Sequence, residues 1–163
     1  MQLALRMINK NRWVMADDGW QSAQSDLLAD MRTARNTLSF YEIDGALLSL
    51  GRVLAALGAN RDRITKLDYI LFDVDIISAQ NLRRQETVGL TADQEVNACH
   101  FDVTDLTVLD LVGLAKEVFL RGERFRVHGK ELKNLLEESL RSGFVDKSQI
   151  RLKDYHQGGL GTR

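Results

Sequence analysis

The sequence predicts an α+β fold that is mainly helical, one domain with a small sheet, with an all-α domain as the alternative. Three observations lead there. Four segments carry apolar residues at helical spacing, whereas the β-rich stretches are short and alternate only weakly. Composition is that of an ordinary globular chain, 44% hydrophobic and 28% charged over 163 residues, enough to bury one core without disulfides or metals. Residues 1–157 are expected to form one compact domain, and 158–163, the end of the glycine-rich HQGGLGTR, a flexible tail.

Taken in order, the opening MQLALRMI alternates in the strand manner and could turn into a hairpin through Asn9, Lys10 and Asn11. From Trp20 to Arg35 the residues Trp20, Ala23, Leu27, Leu28, Met31 and Ala34 recur at helical spacing. TLSFYEI, residues 37–43, is rich in β-formers and stops at Asp44-Gly45, a turn signal. Ala46 to Leu57 is apolar on most sides and predicts a central helix, capped by Gly58. The span 64–82 fits both periods. The stripe Ile64, Leu67, Ile70, Leu71, Val74 and Ile77 accounts for more residues than the two-residue alternation does, so the reading leans to helix. ACHFDV (98–103) and RFRVH (124–128) alternate as strands. Thr107 to Arg121 predicts a helix opened by a capping pair, Thr107 with Asp110, and closed by Gly122; Lys130 to Ser142 predicts another, stopped by Gly143.

Composition also removes function classes. A net charge of -1 leaves no whole-chain attraction for nucleic acid or an anionic membrane. Cys99 is the lone cysteine, so no intramolecular disulfide and no CxxC metal or redox pair can form. No apolar run approaches the roughly 20 residues of a membrane-crossing helix, and the N-terminus does not read as a signal peptide, so a cytoplasmic location is expected. There is no proline, no GxSxG, no P-loop and no GxGxxG. Charge is divided along the chain: residues 62–110 hold ten acids and four bases, residues 116–163 seven acids and eleven bases. Such polarity favours self-association or an oppositely charged partner.

Three constellations could carry chemistry. ILFDVD, residues 70–75, resembles the opening motif of the haloacid dehalogenase-like phosphatases. That resemblance implies a nucleophilic role for Asp73 and acid or base work beside magnesium for Asp75. The family continues with a glycine and a hydroxyl residue, where this chain has Ile76 and Ile77. His100 and Asp102 would share one side of a strand and, with Asp73 or Asp75, could hold a divalent metal or act as acid and base. The segment 121–130 sets Arg121, Arg124, Arg126, His128 and Lys130 around Phe125, a pattern that can grip an anion or a nucleic-acid strand. Arg121 or Arg124 with His128 also resembles the pair of the HEPN ribonucleases, although Gly122 and Phe125 stand where that family has a polar residue. Trp13 is a candidate partner anchor. With no strong reactive signature, the sequence reads as a non-catalytic intracellular interaction module of antitoxin, immunity or adaptor type, acting through helix faces and divided charge, with homodimerisation expected and no cofactor required. A metal-dependent hydrolase using the Asp/His cluster and a nucleic-acid-contacting protein using 121–130 are the alternatives.

Overall fold

The computed structural model describes residues 2–15, 18–44 and 50–153. Its organising element is a six-stranded antiparallel sheet in the order β4-β5-β2-β1-β3-β6. The strands are β1 (Leu3–Met7), β2 (Leu38–Ile43), β3 (Lys66–Asp73), β4 (Arg83–Glu86), β5 (His100–Thr104) and β6 (Glu123–His128). The helices are α1 (Leu50–Ala59), α2 (Asp75–Ala79), α3 (Gln94–Ala98), α4 (Val108–Arg121) and α5 (Gly129–Arg141). The fold is therefore α+β, and the expectation of a mainly helical chain with a small sheet, or of an all-α one, is corrected: the sheet is the scaffold on which the helices pack.

The main source of that error is the 64–82 span. It is strand β3 followed by the short helix α2, not one helix. β3 lies between β1 and β6 and is buried on both faces, with Leu67 and Tyr69 on one side and Ile70 and Phe72 near or in the other core. A strand covered on both faces is apolar throughout, and a run of that kind imitates a helical stripe. The opening strand β1 exists, but it forms no hairpin; it is flanked by β2 and β3, and Lys10–Arg12 is a 3-10 turn. Trp20 to Arg35 is likewise not an α-helix but two 3-10 turns, Gly19–Ser22 and Ser25–Met31, which bury Leu27 and Met31. β4 and α3 escaped notice because RRQE is a polar edge strand and α3 has five residues.

Two cores sandwich the sheet. On one face Ala4, Leu38, Phe40, Phe72, Phe101 and Val103 pack under Trp13, Leu114, Val118 and Phe119. On the other Leu5, Ile43, Leu67, Tyr69 and Val127 pack under Val53, Leu54 and Leu57 of α1 and Leu132 of α5. At ~25 cal/mol per Å² of apolar area, each fully buried side chain of this size contributes about 1.5–3 kcal/mol before chain entropy is counted. α1 begins within the expected Ala46–Leu57 helix and runs through Gly58 to Ala59, so Gly58 does not cap it; residues 46–49 lie outside the described residues. The local signals at α4 and α5 hold. Thr107 and Asp110 form a reciprocal capping box, Gly122 caps the C-terminus of α4, and Gly143 follows α5 with φ +73°. The tail 158–163 lies outside the described residues. No described helix is long and apolar enough to cross a membrane.

Candidate functional site

On the face covered by α1 and α5, the cover thins toward β5. There a cleft of about 490 Å³ opens between α1, represented by Leu57 with Asn60 just beyond its end, and the segment that follows β4. Leu5, Met7, Ser39, Tyr41 and His100 line its floor, and Val88, Gly89 and Leu90 its outer wall. The floor follows from register. Tyr41 pairs with His100 and Ser39 with Asp102, and alternation places these four side chains on one face. The sequence expectation that His100 and Asp102 share a side of a strand holds.

A hydrogen-bond chain fixes the floor. Ser39 Oγ donates to Asp102 Oδ1 at 2.6 Å, and Thr87 Oγ1 lies 3.1 Å from Asp102 Oδ2 and 2.8 Å from His100 Nδ1. The Tyr41 ring meets the His100 ring edge-on at 5.0 Å. Burial, with Asp102 second, pushes the Tyr41 phenol up, so its proton is retained. Arg6 contributes to the lining but sends its guanidinium to the opposite face, where Nε donates to Asp30 O and an Nη to Ser39 O, each at 2.8 Å. Desolvation lowers Arg6 to about 10, partly offset by Asp30.

The outer wall is a tethered segment. Thr87 N donates to His100 O and Gly89 N to Asn97 O. Asn97 Oδ1 accepts from Thr91 N and Oγ1, and Asn60 Nδ2 donates to Leu90 O at 2.6 Å. Gly89 is buried against α3, since a Cβ there would meet Asn97 Cα and His100 Cβ at 3.2 Å each. With that backbone held on both sides, Val88 and Leu90 project outward, 78% and 82% exposed. Sequence reading missed this pair, because V-G-L carries no periodic signal.

The other candidates do not join this site. Asp73 ends β3, three strands from β5 in the sheet order, which is about 14 Å at the usual ~4.8 Å spacing. Its Oδ1 accepts from Asp75 N at 3.0 Å, so the pair shapes the start of α2. Among the described residues no group of three or more His, Cys, Asp or Glu side chains is placed to hold a metal ion. The 121–130 segment is largely committed internally. Arg126 clasps Asp68 at 2.7 and 2.9 Å, which draws that carboxyl below its usual range, and Arg124 bonds Phe119 O while lying 4.8 Å from its ring. Arg121, His128 and Lys130 remain exposed, with Arg121 3.7 Å from Glu117. Trp13 is 1% exposed, its indole N–H donating to Asp30 at 2.8 Å, so it is a core residue and not a surface anchor. Cys99 is half-buried and burial raises its thiol, which disfavours the thiolate.

No family model matches the chain, and neither a curated protein nor a solved structure does.

Proposed function

We propose that the protein is a non-catalytic interaction module that receives a segment of a partner protein in the β2-β5 cleft, with Val88 and Leu90 as the apolar anchors. The observation that carries this reading is the Val88-Gly89-Leu90 wall. Two large apolar side chains stand in solvent on a backbone tied to α1, α3 and β5, so little ordering entropy remains to be lost when a partner covers them. Contiguous exposed apolar side chains rimmed by polar residues mark interaction sites on protein surfaces. The separation of Asp73 and Asp75 from His100 supports the same reading over metal-dependent hydrolysis.

The test is selection of peptides from a displayed library against the wild-type protein and against a Val88→Asp/Leu90→Asp double variant. The reading expects enriched peptides with an apolar side chain that lose binding to the double variant. Peptides indifferent to it, or no enrichment at all, would overturn the reading. Sedimentation over a concentration series, run in parallel, decides whether the occupant is a second copy of this chain.

A further inference from the structure

We infer that the cleft floor reads the backbone of one extended residue of the incoming segment, His100 Nε2 accepting its N–H and the Tyr41 hydroxyl donating to its C=O. This rests on the partner-binding reading above and adds what the partner must offer: a neutral, extended stretch with an unsubstituted amide.

A single proton sets the polarity of this floor. Thr87 Oγ1 sits between Asp102 Oδ2 and His100 Nδ1 and has one hydrogen to give. Asp102 as a carboxylate can only accept, and already accepts from Ser39. If Thr87 donated to His100, its lone pair would face a carboxylate oxygen 3.1 Å away, a repulsive contact. The Thr87 proton therefore goes to Asp102, and Thr87 accepts from His100 Nδ1–H. A neutral imidazole fixed in that way has no proton on Nε2, which is left as a bare acceptor with no protein donor among the described residues. Across the strand pair the Tyr41 ring meets the His100 ring edge-on at 5.0 Å; its hydroxyl has no protein acceptor among the described residues, and burial keeps it protonated. The N–H and C=O of one extended residue point to the same side, so an acceptor and a donor on two paired residues of one floor can serve both. Met7, Val88 and Leu90 supply apolar surface for the side chains that flank it. A cationic group fits poorly, because Asp102, the carboxylate bonded to the floor residue Ser39, already accepts from two hydroxyls.

Nuclear magnetic resonance on the 163-residue chain tests this with N-acetyl-L-leucine N-methylamide as the probe and its N-methyl-leucine analogue as the amide-blocked control. The expected result is perturbation at Tyr41, Val88, Leu90 and His100, with the blocked analogue binding about five-fold more weakly, as for loss of one neutral hydrogen bond. Tyr41→Phe should weaken the probe by a similar factor. The ¹⁵N spectrum of the neutral His100 imidazole should show Nδ1 protonated in the wild type. Thr87→Val should lose that tautomer and the preference for the unblocked probe, while Thr87→Ser retains both and controls for folding. A blocked analogue that binds equally, or a wild-type His100 protonated at Nε2, would overturn the inference. Library peptides that depend on Val88 and Leu90 but ignore Thr87→Val would sink this inference and leave the partner reading standing. Probe binding that survives the Val88→Asp/Leu90→Asp change would do the reverse.

Discussion

Asp30 is the residue whose removal should be felt most widely on the strand-connecting side of the sheet. Its carboxylate accepts from Asn9 N at 2.7 Å, Arg12 at 3.0 Å and Trp13 Nε1 at 2.8 Å, and so pins a buried indole and the turn before it. Asp30→Ala orphans these donors and is expected to cost about 2–3 kcal/mol, read by denaturant titration with tryptophan fluorescence; Asp30→Asn, which keeps an acceptor, should cost less. Asp68 plays the matching part beneath β6. Its folded carboxyl titrates below the ordinary value, first because Arg126 donates to it, so it stabilises the fold above about pH 4 and that stability drains as pH falls through the lowered value. Asp68→Asn should therefore flatten the acid limb of a melting-temperature profile; an acid limb unchanged from wild type would contradict the assignment. Neither carboxylate was legible in the sequence, because their partners lie 17 to 58 residues away. The Thr107 and Asp110 cap was legible because its partners are three residues apart.

At the scale of elements, legibility tracked exposure. α4 and α5 each have one wet and one dry face, and their periodicity survives in the sequence. β3 is dry on both faces and lost its alternation, while β4 is wet enough to have had no apolar signal. His100 and Asp102 were correctly placed on one face because β5 alternates, yet the hydroxyl that links them belongs to Thr87, beyond a different strand. Gly89 tests whether the wall is held as described. Gly89→Ala puts a methyl group 3.2 Å from Asn97 Cα, backbone that cannot yield easily, and is expected to displace Val88 and Leu90 and weaken partner binding at least ten-fold with a modest loss of stability. A second element-level lock joins α1 to α3: Arg52 donates to the fully buried Asp93 at 2.6 and 3.0 Å, Asp93 also caps α3, and the guanidinium lies 3.9 Å from the Phe144 ring. Asp93→Ala removes the buried partner of Arg52, which keeps its bond to Glu95, together with the α3 cap, and should cost about 2–3 kcal/mol, measured by thermal unfolding.

In the molecule as a whole, the sheet carries stability and the proposed recognition is confined to one corner. The Asp30, Asp68 and Asp93 networks hold the connecting segments to the sheet, whereas Val88 and Leu90 contribute little to the core and stand free of it. Stability and binding should therefore separate cleanly in variants. The most direct measurement is titration of a library-selected peptide into isotope-labelled wild-type protein and into the Val88→Asp/Leu90→Asp variant, with melting temperatures taken on the same samples. The account expects shifts confined to β2, β5 and residues 87–90, an affinity loss of at least 100-fold in the variant, and melting temperatures within a few degrees of each other. Equal affinity in the two proteins, or shifts centred on β6 and α5, would contradict it.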